Sequence, residues 1–208
     1  IHKALEEFLK LWKGRLHATQ GDLFAPAKAG KIAVPTFEEL KTIYERAWID
    51  DWYDDPKQKE EYRMRRGPSQ LRNFYDNFLS APPRPKYLEE FFKIAMGSYK
   101  FVGKIDRIDE TEQGSVIIDY KTGEATPKKL EKVDRDQLII YQIAAQEFLN
   151  EKIVNATYWH LQPNHFSDSF TATPTQMEKL KKEYTETIDT IVRTVANDSF
   201  VEADTAAP

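Results

Sequence analysis

GKIDRIDETEQGSVIIDYKTG, residues 103–123, reads as two β-strands and the turn that joins them, with Asp106 and Asp119 set inside runs of buried-strand character. Ile105, Ile117 and Ile118 supply the β-branched residues that suit a pleated, packed surface. Asp119 and Lys121 are two residues apart, so on a strand both project to one face with α-carbons about 6 to 7 Å apart. A hairpin turn centred between Glu112 and Gln113 sets Asp106 opposite Asp119, and opposed β-carbons on one face lie about 4.5 to 5.5 Å apart. Two bare carboxylates so placed repel one another and lose their hydration unless a cation sits between them. Hard oxygen donors suit Mg2+ or Mn2+.

The strand before this stretch extends the pattern. A turn at Gly97-Ser98 places Glu89 opposite Asp106, so that three acids lie in a row across three adjacent strands. A slip of one residue would put Glu90 there instead. Arg107 and Asp109 have the opposite parity to Asp106, and the expectation for them is an exposed ion pair worth under about 1 kcal/mol.

Outward from the strands the period becomes helical. Leu5, Leu9, Trp12 and Leu16 give residues 1 to about 19 one apolar face, with His2 near its edge. Residues 20–35 carry two prolines and two glycines and read as a loop. Thr36, three before Glu39, has the spacing of a capping box and opens a helix through Tyr53. Another helix is expected over roughly 57–79, ended by the proline run of SAPPRP. After the three strands come a helix over 132–150, a strand in KIVNATYWHLQP and a short strand in DSFTAT. Thr173, Pro174 and Gln176 then cap a last helix running to about Ala196. This order predicts an α/β fold with a central mixed sheet flanked by helices. It also predicts one domain over 1–208, with a helical insertion over about 20–82, a core of 1–19 and 83–197, and a tail over 198–208 in which VEADTAAP reads as disordered.

Composition narrows the chemistry. The 208 residues are 40% hydrophobic and 12% aromatic, enough for one core. Cysteine is absent, so disulfides, Cys-ligated zinc and an iron–sulfur cluster are excluded within these residues. A net charge of −4 gives no global field for nucleic acid. The basic stretch PKQKEEYRMRRGPSQLR is interleaved with acids, as on a solvated helix face. No Gly-rich phosphate loop or Ser/His/Asp set is present, and His17, His160 and His165 form no metal spacing. With no apolar run long enough to span a membrane and no signal-peptide pattern, the expected compartment is the cytoplasm. The chain opens on Ile1 already in helical period, which reads as an excerpt of a longer polypeptide.

The pattern G-x-I-D-R-I-D followed by apolar-x-D-Y-K-T-G resembles the RecB-like branch of the PD-(D/E)xK nuclease superfamily. QLIIY, Gln137 to Tyr141, resembles that branch's Q-x-x-x-Y helix motif, and IHKALEEF its upstream histidine helix. RRGPSQLRNFYDNF and the LEEFF strand extend the similarity over nearly the whole chain. The resemblance implies a restriction-endonuclease-like core with an inserted helical region, and a Mg2+- or Mn2+-dependent deoxyribonuclease that hydrolyses phosphodiester bonds. It implies that His2, Asp106, Asp119 and the main-chain carbonyl of Tyr120 ligate metal and that Glu89 is a supporting acid. Asp106, Asp119 and Lys121 would be catalytic, with Lys121 holding the attacking water or the charge of the transition state. Gln137 and Tyr141 would position DNA or buttress the site; four apart on one helix face, they also fit a core stripe.

The implied partners are DNA, as single strands or duplex ends, and a helicase in the same polypeptide or complex acting in repair or recombination. Many relatives add an iron–sulfur cluster, whose cysteines would lie outside these residues. Two other functions fit the pattern: a non-catalytic DNA-binding or scaffolding module built on the nuclease fold, and a CRISPR-associated RecB-like nuclease. The retained acids and lysine argue against the first.

Overall fold

The computed structural model describes residues 1–20, 32–49, 54–123 and 132–197. Its centre is a meander built by two tight turns. β1 (Pro85–Met96) and β2 (Tyr99–Thr111) are antiparallel, joined where Gly97 takes φ +59°, a left-handed conformation that glycine adopts without steric cost. β3 (Gly114–Lys121) returns antiparallel to β2, and Ile108 faces Ile117, as a turn centred between Glu112 and Gln113 requires. Leu88 faces Arg107 and Glu90 faces Ile105, which brackets Glu89 and Asp106 between matched neighbours.

The crossover helix α5 (Lys132–Glu147) leads to β4 (Ile153–His160), which is parallel to β3. A two-residue strand, β5 (His165–Phe166), completes a mixed sheet of order β1-β2-β3-β4-β5. The short strand expected in DSFTAT is reduced to one bridge, Phe170 with Ala156. The Ser167 hydroxyl accepts the Tyr158 N–H there, so a side chain replaces a ladder bond and pairing lapses.

Helices cover both faces. α5 and α6 (Pro174–Ala196) bury Leu138, Ile143, Ala144, Met177 and Leu180 against Ile94, Ile105, Ile108 and Ile117. On the other face, α1 (His2–Gln20), α2 (Phe37–Arg46) and α4 (Gly67–Ser80) pack Leu5, Phe8, Leu40, Leu71 and Phe74 onto Ile118, Tyr120 and Trp159. Apolar residues recur at helical spacing on the helices, giving each one face to bury, whereas the central strands are buried on both faces, with Ile117–Tyr120 of β3 and Ala156–His160 of β4 covered in succession. Both expected capping boxes form, Thr36 with Glu39 and Thr173 with Gln176.

α2 ends at Arg46 rather than Tyr53, and residues 50–53 lie outside those described, as does the tail. The helix expected over 57–79 is three segments: α3 (Pro56–Glu61), a π-helical stretch Tyr62–Arg66, and α4. Gly67 opens α4 where a β-carbon would stand 2.2 Å from the Tyr44 hydroxyl, so the absence of a side chain lets α2 and α4 meet. Among the described residues no helix is long and apolar enough to cross a membrane.

Candidate active site

The C-terminal end of β3 gathers the singled-out residues into two adjoining groups. In the first, the first turn of α1 brings His2 against the strand, with Nε2 3.0 Å from the Tyr120 carbonyl and 3.3 Å from Asp106 Oδ2. The ladder between β2 and β3 runs to Arg107 opposite Ile118. One residue further, the Asp106 carboxylate accepts the Tyr120 N–H at 2.8 Å. Burial works to lower the His2 pKa, but its hydrogen bond and charge attraction to Asp106, with the Tyr120 carbonyl, hold it above the ordinary histidine value.

The second group hangs on Asp119, which is 3% exposed and projects toward α5. Tyr141 donates its hydroxyl to Asp119 Oδ1 at 3.2 Å and Gln137 Nε2 approaches the same oxygen at 3.4 Å. Gln137 also accepts from Lys121 Nζ at 3.0 Å and donates to the Tyr141 hydroxyl at 2.8 Å. Their spacing of four puts both on one face of α5, which is why one helix reaches one carboxylate twice. Burial raises the Asp119 pKa, and the Asp106 charge raises it further against the pull of Lys121. The two acids therefore sense one another although they belong to different groups.

Glu89 lies opposite Asp106 in the register of β1 and β2. Its backbone is left-handed at φ +51°, and its carboxylate pairs with Lys104 on β2.

Two features lay outside the sequence expectations. Tyr158 on β4 donates its hydroxyl to Gln137 Oε1 at 3.0 Å, and Lys121 Nζ lies 4.5 Å from the centre of its ring. An aromatic residue in an apolar strand gives no sequence signal of that role. Arg107 and Asp109, expected as an exposed pair, are 6% and 8% exposed. The face of β2 that carries them is roofed by the α1 and α4 side of the molecule rather than by solvent.

Among the described residues no three His, Cys, Asp or Glu side chains stand close enough to hold an ion by themselves. The atoms that do converge are a histidine nitrogen, a carboxylate oxygen and a main-chain carbonyl. Beside them, Asp119 Oδ2 is buried and receives no aligned hydrogen bond, even though Lys121 Nζ is 2.7 Å away. The ammonium balances its charge without saturating its lone pairs. Oxygen-rich donors with an unsaturated buried carboxylate fit a hard divalent cation.

No match is found among curated proteins. The family model of the PD-(D/E)XK nuclease superfamily matches residues 1–205, helices and sheet alike. Members of that superfamily are generally hydrolytic nucleases and typically use divalent metals, and the five-stranded mixed sheet between helices is consistent with their restriction-endonuclease-like fold. With all but three residues of the sequence inside the match, the chain belongs to the PD-(D/E)XK nuclease superfamily.

Proposed function

We propose that the chain is a divalent-metal-dependent DNA nuclease domain of the RecB-like branch, serving a helicase-coupled repair or recombination machine. The observation that carries this reading is the meeting of His2 Nε2, Asp106 Oδ2 and the Tyr120 carbonyl beside the Asp119–Lys121 pair. His2, Asp106, Tyr120 through its carbonyl, and Asp119 would hold Mg2+ or Mn2+. A bound cation of this kind acidifies water and neutralises phosphate oxygens.

The chain's own groups do the rest. Lys121 keeps a fixed positive charge at the mouth of the site, where negative charge grows on the phosphate as the ester bond breaks. Its side chain is 34% exposed, so a substrate can reach it, while Gln137 and the Tyr158 ring limit where it points. Tyr141 and Gln137 fix the rotamer of Asp119 from the α5 side.

A cavity of about 260 Å³ favours unpaired DNA as the substrate. His2 and Thr122 line it together with the aromatic residues Tyr44, Trp48 and Tyr62. Arg63 lies 5.5 Å from the Trp48 ring centre and Arg66 5.7 Å from that of Tyr62. Rings backed by guanidinium groups suit stacked bases and their phosphates, at about 1 to 3 kcal/mol per stacked base. Tyr62 is tied to the strand end through Gln70, which accepts its hydroxyl and donates to the Thr122 carbonyl at 2.9 Å.

End-labelled single strands and the matching duplex, incubated with Mg2+, test this. Cleavage is expected with Mg2+, faster on single strands, and absent in Asp119→Ala. Undiminished cleavage by the variant would refute the site, and DNA binding with no cleavage by the wild type would mark a non-hydrolytic module.

A further inference from the structure

Tyr120 is held at three places, two on its main chain and one at its side-chain hydroxyl. Its N–H is taken by Asp106 and its carbonyl by His2. Its hydroxyl accepts from Arg107 Nη1 at 3.0 Å, and Arg107 is itself gripped by Asp109, Nε to Oδ1 at 2.7 Å and Nη2 to Oδ2. All three residues are less than 10% exposed. The rings of Phe74 and Trp159 close over Tyr120 with centres 6.2 and 5.8 Å away.

Two adjacent residues of β2 thus grip one residue of β3: the Asp106 carboxylate takes its main-chain N–H, and the Arg107 guanidinium its side-chain hydroxyl. This happens at the end of the ladder, whose last pair is Arg107 with Ile118, beyond which main-chain bonds no longer set the position of β3 against β2. A bidentate guanidinium–carboxylate pair has few orientations open to it, so the phenol it holds has few as well. Since the side chain and the carbonyl leave one residue, fixing the first limits rotation of the second about the strand. As a device for stability alone a buried ion pair is poor, because apolar residues of similar volume often do as well or better.

We propose that Arg107 and Asp109 are positioning residues, a buried clamp under α1 and α4 that holds the Tyr120 carbonyl and N–H in line with His2 and Asp106. This rests on the reading that those atoms surround a divalent cation, and it adds a support to that site which touches neither metal nor DNA.

Two variants and two measurements test the clamp. Tyr120→Phe removes the hydroxyl alone. Arg107→Met/Asp109→Leu/Tyr120→Phe replaces the whole set by apolar side chains, leaving no buried charge behind. Mn2+ affinity, followed by the electron paramagnetic resonance of the free ion, should weaken roughly 10-fold in both, the lower range for lost support of a metal ligand. Exchange of the residue 120 amide, followed by NMR without metal, should speed up in both while the global unfolding transition stays cooperative. Unchanged amide exchange overturns the clamp. So does faster exchange with unaltered Mn2+ affinity, which makes the pair a structural element only. If the wild type binds no Mn2+ yet exchange rises in the variants, the metal reading fails and the mechanical coupling stands. Should the triple variant not fold, Tyr120→Phe by itself distinguishes these outcomes.

Discussion

Neighbouring strands carry two ion pairs of the same spacing, Arg107–Asp109 on β2 and Asp119–Lys121 on β3, and they differ in how completely they are closed. The first is bidentate, with side chains 7% and 12% exposed, and its remaining guanidinium nitrogen is taken up by Tyr120. The second is a single contact at 2.7 Å whose carboxylate is 5% exposed and whose ammonium is 34% exposed. Burial opposes the charge on Arg107, yet Tyr120 and Asp109 return more than is lost and its pKa lies above the ordinary arginine value. Asp119 is left on the other side of that balance, with burial raising its pKa and one oxygen short of a hydrogen bond. Closure makes a pair mechanical, whereas incomplete closure leaves it available for chemistry.

Asp119→Asn should separate the two most sharply. Cleavage is expected to fall at least about 10³-fold, the upper range for loss of one electrostatic partner of the reacting group. Stability measured in EDTA should hold or rise, because the native site disfavours the charge it carries. The sign follows from linkage. A carboxyl whose folded pKa exceeds its unfolded value binds more protons when native between the two, so the wild type loses stability as pH rises through that window. The asparagine variant should therefore gain on the wild type across the window and keep its advantage above it. An advantage that grows as pH falls would contradict the placement of Asp119.

Arg107→Met, alone, reverses the pattern of effects. It strands Asp109 as a buried unpaired carboxylate, a change that costs about 3 to 5 kcal/mol. Urea unfolding should show the midpoint falling accordingly. A loss below about 1 kcal/mol, the range of solvent-exposed pairs, would mean that water reaches Asp109 and the pair is not closed. Lys121→Met is the matched change on β3: it should cost cleavage roughly 10²-fold and lower the urea midpoint less than Arg107→Met, because Asp119, whose pKa burial already raises, can take up a proton once the ammonium is gone. If Lys121→Met destabilised the chain as much as Arg107→Met, the contrast between the pairs would vanish.

That contrast was invisible in the sequence, and the reason is topological. Arg107 and Asp109 do share a face, as their spacing requires, but treating that face as wet assumes that only one side of the sheet is covered. Here α1 and α4 cover it, so Arg107, Ile108 and Asp109 are buried in succession. What depended on local chemistry was legible. The turns at Gly97 and at Glu112-Gln113 set both registers, and the capping threonines set the starts of α2 and α6. The proximity of His2 to Tyr120, 118 positions away, was implied only by the family resemblance, because nothing in the spacing of α1 says which strand it crosses. Tyr158 was lost among core aromatics, and the π-helical turn at Tyr62–Arg66 interrupts a helix whose period reads as continuous.

Lys182 and Glu186 supply the lower bound of the comparison. They form an ion pair on α6, four residues apart, at 3.8 Å with side chains 78% and 65% exposed. Water screens both charges, and holding two long side chains together costs rotamer freedom, so such pairs contribute no more than about 0.5 kcal/mol. Lys182→Ala should change the urea midpoint by no more than that, leave cleavage at the wild-type rate, and become indistinguishable from wild type at high salt. The three pairs then form a series in which the opposed charges are the same and access to water varies. A salt-insensitive loss at Lys182 comparable to that at Arg107 would mean that burial does not order the series, and the distinction drawn between the clamp and the reacting pair would lose its physical basis.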